Sequence, residues 1–241
     1  MDVVELLPEL VMFRFPVGHV YLWRDPAGLT LIDTGVPGSA PAIAAALDKL
    51  GHHPGDLRRI LLTHFHGDHT GSAAEIAAWG DTEVHAHRLD APMVRGEAPG
   101  PPPILVTDWE RELFAQVHAT TDMSAPIAPV RVDHELDHGD RIDLGNGLWA
   151  TCVAAPGHTP GSVAYHVPAA GVLFTGDSIA RGPTGDPMLG VFNADPPGAA
   201  ASLSSLAALQ PAMACFGHGD PLSDNAGAAL ETLAGGVKGA H

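Results

Sequence analysis

Basic side chains are scarce in this 241-residue chain: 12 Lys and Arg stand against 28 Asp and Glu, a formal charge of −16. Phosphate backbones are bound by positive surfaces, so nucleic acid is not an expected partner. The acidic excess reads instead as a solvated surface that also helps retain cations. Cysteine is almost absent. Cys152 and Cys215 both lie inside apolar runs and read as buried free thiols, not a disulfide framework. No stretch approaches the ~20 uninterrupted apolar residues of a membrane span. The start, Met1-Asp2-Val3-Val4-Glu5, lacks the basic and long apolar segments of an export signal. These absences point to a cytoplasmic monomer or homodimer with no membrane partner.

Apolar residues, by contrast, make up 45% of the chain, enough for a sizeable core in one domain over residues 1–241. Histidine is the other abundance, with 15 residues against 12 Lys and Arg together. Imidazole is the commonest metal ligand at neutral pH, so spacing decides what these residues are for.

The first part of the chain reads as strands at 10–15, 18–24 and 28–33, the last two joined in a hairpin by the turn signal Asp25-Pro26-Ala27-Gly28. A helix over 42–50 follows, with Ser39 placed to cap it. Residues 58–63 read as a buried strand, 70–79 as a helix, 82–86 as a strand, and a short helix starts at Arg88. Residues 96–128 change character: a Pro/Gly-rich stretch leads into Asp108-Trp109-Glu110-Arg111-Glu112-Leu113-Phe114, a short helix with two aromatics. This segment reads as a lid inserted over the core. Strands follow at 141–144, 147–155, 162–167 and 172–175, then a Gly/Pro-rich loop over 176–197. The chain finishes helix, strand, helix at 197–209, 212–216 and 225–233. Each half runs strands first and then alternates strand and helix, which predicts an α/β fold of two sheets packed face to face with helices outside.

The strand over 58–63 delivers His64-Phe65-His66-Gly67-Asp68-His69. Side chains two apart on extended backbone point the same way, so His64 and His66 can converge on one ion. Gly67 permits a sharp turn that swings Asp68 and His69 to a neighbouring position. Three further places repeat one pattern, a polar ligand type where an apolar strand stops, with Gly beside it: His158 in Pro156-Gly157-His158, Asp177 in Gly176-Asp177, and His218 in Gly217-His218-Gly219. Imidazole and carboxylate donors suit Zn²⁺, Fe²⁺ or Mn²⁺, and no Cys stands among them. Zinc is the first expectation.

With these motifs in this order, the chain resembles the metallo-β-lactamase superfamily over nearly its whole length. The resemblance implies a four-layer αββα sandwich of two mixed β-sheets flanked by helices. It implies one metal held by His64, His66 and His158 and a second by Asp68, His69 and His218, with Asp177 bridging both. Leu31-Ile32-Asp33-Thr34-Gly35 also matches, and there Asp33 orients a ligand His from outside. Two ions roughly 3.5–4 Å apart share a hydroxide that attacks a carbonyl carbon. Asp177 and Asp68 are the expected catalytic carboxylates, Asp68 as proton acceptor or donor beside that hydroxide.

The remaining histidines have blander readings. His52 and His53 read as solvated, His166 as partly buried and structural, and His85, His87, His118, His134, His138 and His241 as structural or exposed. His19 is a candidate for substrate contact at the site edge. So are Trp109, Phe114 and Met123 from the lid, Met188 and Phe192 from the second loop, and Arg181 as a partner for a substrate carboxylate. The apolar members predict a small substrate with an apolar part. Within the superfamily the chain is similar to lactonases and glyoxalase II-like thioester hydrolases, with departures from each. It ends soon after His218, without the basic C-terminal segment used for glutathione. It also has Ser178-Ile179-Ala180-Arg181 where lactonases place a Tyr after the bridging Asp. The expected function is therefore dinuclear zinc hydrolysis of a small ester, lactone, thioester or amide. A mononuclear iron oxidoreductase like the persulfide dioxygenases would use His64, His66, His158 and Asp177 and leave Asp68, His69 and His218 idle. A non-catalytic metal-binding module is the third alternative.

Overall fold

The computed structural model describes residues 1–25, 28–120 and 127–238. Its first sheet begins with an antiparallel meander of β1 (Asp2–Leu7), β2 (Leu10–Arg14), β3 (Val20–Asp25) and β4 (Gly28–Ile32). Asp25 pairs with Gly28, so the expected hairpin forms, although Pro26 and Ala27 themselves lie outside the described residues. Helix α1 (Ala40–Lys49) then crosses to β5 (Leu57–Leu61), which runs parallel to β4. Helices α2 (Gly67–Thr70) and α3 (Ala73–Ala77) lead to β6 (Glu83–His87), and α4 (Ala91–Val94) and α5 (Asp108–Thr120) to β7 (His134–Leu136), both strands again parallel. The order in this seven-stranded sheet is the chain order.

The second sheet comprises β8 (Arg141–Gly145), β9 (Leu148–Ala154), β10 (Val163–Val167) and β11 (Val172–Phe174). After it come a separate hairpin of β12 (Ile179–Arg181) and β13 (Pro187–Leu189), α6 (Pro196–Ala207), β14 (Met213–Cys215) and α7 (Ala226–Lys238). Strand β14 joins β11 in parallel, giving the order β14-β11-β10-β9-β8. Both sheets mix parallel and antiparallel pairs.

Three apolar layers hold this together. In β2, Leu10 and Met12 point between the sheets and Val11 and Phe13 to the helical side, as strand alternation requires. The inter-sheet layer packs Tyr21, Trp23, Ile32 and Leu61 against Tyr165, Val172 and Phe174. Ile43 and Leu47 of α1 and Ile76 of α3 cover the outer face of the first sheet. Leu203 and Leu206 of α6 and Leu230 of α7 cover that of the second. The result is the expected four-layer α/β sandwich, with helices outside two mixed sheets. Cys152 and Cys215 are buried and free.

Local departures from expectation have physical causes. The helix expected over 70–79 is split at Gly71 and Ser72, because Ser72 Oγ donates to Val36 O and accepts from Ser39 N, both at 2.8 Å. A Cβ on Gly71 would lie 2.3 Å from Pro37 N, so only glycine allows this approach. Ser39 stands at the N-cap of α1 but makes no capping bond: its φ/ψ of −74/−23 is helical, not the extended geometry that aims a capping oxygen. The loop expected over 176–197 contains β12 and β13. Helix α5 runs past Phe114, started by a reciprocal box in which Thr107 Oγ1 accepts from Glu110 N and Glu110 Oε2 accepts from Thr107 N.

Candidate metal centre

Strand ends deliver the candidate ligands to one edge of the sandwich. Strand β5 stops at Leu61, and Leu62-Thr63 carry the chain to His64, which is buried. Asp33 directly follows the parallel neighbour β4, in a left-handed conformation with φ 61°. His158 lies in the connection between β9 and β10, Asp177 just beyond β11, and His218 just beyond β14. The two sheets are tied at this edge, where Val163 N donates to Thr63 O at 2.9 Å and Tyr165 OH to Leu62 O at 2.9 Å. Gly217 makes the approach of the last strand possible, since a Cβ there would lie 2.1 Å from Asp177 Oδ1.

The donors form two groups, His64-His66-His158 and Asp68-His69-Asp177-His218, each with ligand atoms within 4.8 Å of one another. Donors sharing a tetrahedral ion at ~2.0–2.2 Å lie about 3.3–3.6 Å apart. In the second group His218 Nε2 is 3.1 Å from both Asp68 Oδ2 and Asp177 Oδ2, and His69 Nε2 is 3.2 Å from Asp177 Oδ1. In the first, His158 Nε2 is 2.9 Å from His66 Nδ1. Asp177 stands between the groups, its Oδ2 also 3.7 Å from His158 Nε2.

Outer partners fix which ring nitrogen faces inward. Asp33 accepts three hydrogen bonds of 2.8 Å, from Thr63 N and Thr63 Oγ1 and from His69 Nδ1, which must be the donor because a carboxylate only accepts. Thr63 has thereby used its hydroxyl proton, so His64 Nδ1 donates to Thr63 Oγ1 at 3.1 Å. His158 Nδ1 donates to Val191 O at 3.0 Å. Each bond leaves an Nε2 aimed at the centre. His64 Nε2 is buried with no hydrogen-bond partner, a costly state that a cation would relieve, and His69 Nε2 and Asp177 Oδ1 are buried with only their mutual 3.2 Å ion pair, outside hydrogen-bond geometry.

The two groups differ electrostatically. Burial and neighbouring imidazoles push His64 well below the usual histidine range and His66 down to about 3. Burial likewise lowers His158, against the pull of Asp177. These three rings are neutral at pH 7. In the second group burial works against protonation too, but Asp177 and Asp68 outweigh it, raising His69 strongly and His218 to about 10. Burial would raise Asp68 and Asp177, but the two imidazoles hold both carboxyls well below the carboxylate range. Without metal, the second group is therefore a salt-bridged cage of two cations and two anions.

One organising residue has no sequence signature. Asp90, buried beyond β6, accepts from Phe65 N at 3.1 Å, Thr159 Oγ1 at 2.7 Å and Gly161 N at 2.6 Å. It thus ties the His64–His69 run to the loop bearing His158. Burial pushes its carboxyl up to about 6 despite those three bonds. Only the folded chain brings its partners together.

The expected substrate-contact residues separate into groups. Phe114 of α5 meets Phe192 edge-on, with ring centroids 5.3 Å apart, and Val191 beside it binds His158. Ile104 N donates to Asn193 O at 2.8 Å, so the stretch leading into α5 is also seated on the loop next to the first group. Trp109 is exposed on α5, and Met188 lies half-buried in β13. His19 is buried, its backbone N–H donating to Gly217 O at 2.8 Å; burial and His218 lower its pKa to about 4. The guanidinium of Arg181 donates from Nε to Gly185 O and from Nη1, at 3.2 Å, to Pro221 O, so it also ties loops together. Met123 lies outside the described residues. An apolar cavity of about 200 Å³ opens between Phe65 and Thr70 on one side and Met93, Val94, Ile127 and Val130 on the other. Its wall residue Phe65 packs 4.7 Å from the ring of His66.

Known proteins resemble this chain in sequence and fold. The model of the metallo-beta-lactamase superfamily matches residues 14–218. A probable metallo-hydrolase of Bacillus subtilis (strain 168) is 27% identical over 229 residues, covering 86% of this chain and 81% of that protein. A hydroxyacylglutathione hydrolase of Fuscovulum blasticum is 33% identical over 180 residues, 74% of this chain and 55% of its own length, so the chain spans little more than half of that relative. Among solved structures, a metallo-beta-lactamase family protein from Thermus thermophilus superposes with a TM-score of 0.71 at 24% identity, covering 98% of this chain and 80% of that one. A subclass B3 metallo-beta-lactamase of Bradyrhizobium japonicum gives 0.72 at 23% identity, covering 100% and 92%. At such identities the likeness is one of fold.

Proposed function

The chain belongs to the metallo-beta-lactamase superfamily and is a metal-dependent hydrolase, and from that premise we propose a two-zinc centre that cleaves a small ester, lactone, thioester or amide. His64, His66 and His158 would hold one ion and Asp68, His69 and His218 the other, with Asp177 shared; Fe²⁺ or Mn²⁺ suits the same donors. The observation that carries this reading is the convergence of buried donors on two groups that meet at Asp177: His64 Nε2 has no hydrogen-bond partner, and His69 Nε2 and Asp177 Oδ1 have only each other, 3.2 Å apart. When bound, such ions generate a hydroxide at neutral pH and polarise the carbonyl oxygen under attack.

The protein's own part is positional. Asp33 keeps the proton on His69 Nδ1, so that the opposite nitrogen faces the centre. Asp68, partly open to solvent beside His218, is placed to take up or return a proton. Residues 96–128 act as a lid on one domain, seated through Phe114 on Phe192, and their exposed Ile104, Val106, Trp109 and Ile127 favour a substrate with an apolar part. A one-iron oxidoreductase fits less well, because it would give no task to Asp68, His69 and His218, which are packed as tightly as the first group. Relatives named hydroxyacylglutathione hydrolases keep thioesters within the class, although this chain covers only 55% and 61% of two of them.

A side-by-side turnover screen of the zinc-loaded protein tests the proposal. Lactones, glutathione thioesters, simple esters and β-lactams should include at least one substrate hydrolysed at a rate that chelation abolishes. Oxygen uptake on glutathione persulfide with one iron per chain, and no hydrolysis, would overturn it.

A further inference from the structure

A third group of metal-binding side chains lies apart from this centre, on β6 and β7. Glu83 and His85 stand two apart on β6 and therefore share a face. His134 of β7 is the Cα partner of His85 in the parallel ladder. The two imidazoles stack with centroids 4.4 Å apart and planes 20° from parallel. Glu83 Oε2 faces both, 3.5 Å from His134 Nε2 and 3.8 Å from His85 Nε2. Those spacings are too long for hydrogen bonds and close to the about 3.3–3.6 Å between donors that share a tetrahedral ion.

A second observation points to a ligand. His85 is only 6% exposed, yet neither of its ring nitrogens has a hydrogen-bond partner. A buried imidazole normally satisfies at least one nitrogen, so the bare ring calls for an explanation. Nearby charges do not provide one. Arg59, opposite Glu83 in the ladder, donates to Thr30 Oγ1 at 3.0 Å. The Asp133 carboxylate is occupied by Val84 N and by Arg131.

We infer that Glu83, His85 and His134 form an additional site for a divalent transition-metal cation such as Zn²⁺, separate from the hydrolytic centre. Three protein donors, two of them imidazole, suit zinc, with water completing the shell. The site would be structural. Strand β7 is a three-residue edge strand at the return leg of the 96–128 insertion, and an ion shared with β6 would clamp it to the sheet.

Equilibrium dialysis against zinc tests this, using the full chain, His134→Ala and Glu83→Gln. Both substituted side chains are exposed and lie outside the hydrolytic centre, so folding and turnover should persist. Each variant is expected to retain one zinc equivalent fewer than the parent, and zinc is expected to raise its Tm less. Equal zinc content in all three proteins overturns the inference, as does loss of turnover together with the missing zinc.

Discussion

Zinc titrated into the metal-free protein should release protons unequally from the two donor groups. At pH 7 the first group carries none to lose, because burial holds His64, His66 and His158 neutral. The second holds two, on His69 and on His218, whose pKa is raised to about 10. Ligation removes both, so filling the second group releases about 2 more protons than filling the first. Each released proton makes the apparent affinity tenfold stronger per pH unit, so the second site should tighten about 100-fold per unit across neutral pH. That gain should fade only as pH passes through about 10, where His218 loses its proton unaided. The first site should be nearly flat above pH 7. Calorimetry in buffers of contrasting ionisation enthalpy counts the protons for each phase, with His134→Ala as the protein so that the site on β6 and β7 adds nothing. Equal proton release in both phases, or a second site whose affinity ignores pH, would refute the reasoning.

Other outcomes follow from the same geometry. Gly217→Ala should fold but lose the second ion, because its Cβ would press on Asp177 Oδ1 and His69; metal analysis of the purified variant checks this. Asp90→Ala leaves Phe65 N and Gly161 N without their acceptor, at about 1–3 kcal/mol each, partly offset by no longer burying a carboxylate; urea unfolding should show a net loss of stability. The pH dependence of Asp90 has a definite sign. Its folded pKa, about 6, exceeds the ordinary 3.8, so the stability it contributes is complete below pH 3.8 and lost as pH rises through 6. Asp90→Asn should flatten that part of the metal-free stability profile. Phe114→Ala removes the lid's edge-on contact with Phe192 and should raise KM for apolar substrates more than it lowers kcat, as steady-state kinetics would show.

The candidate site was legible because each of its four stretches follows the end of a strand, where an apolar run stops and a histidine or aspartate appears with glycine close by. The sandwich was legible for a related reason. Strands such as β2, buried on both faces, read as continuous apolar runs, and helices separate the parallel ones. What escaped was set by contacts distant in sequence. Strand β1 is a half-exposed edge with mixed residues, and β7 is too short to show a period. Asp90 gains its role only when the loops bearing Phe65 and Thr159 meet. The loop-tying bonds of Arg181 were not legible because its carbonyl partners lie on loops that fold back over it. His85 and His134 looked unrelated until the parallel pairing of β6 and β7 made them neighbours.

The two-ion claim is tested most directly by measuring zinc content and turnover together for the parent and for His69→Ala, on the best substrate from the screen. His69 offers its Nε2 to the second group alone, so the variant should carry one zinc equivalent fewer, keep the ion at His64, His66 and His158, and lose hydrolysis. Unchanged zinc content with unchanged turnover would contradict the ligand assignment and the two-ion reading with it.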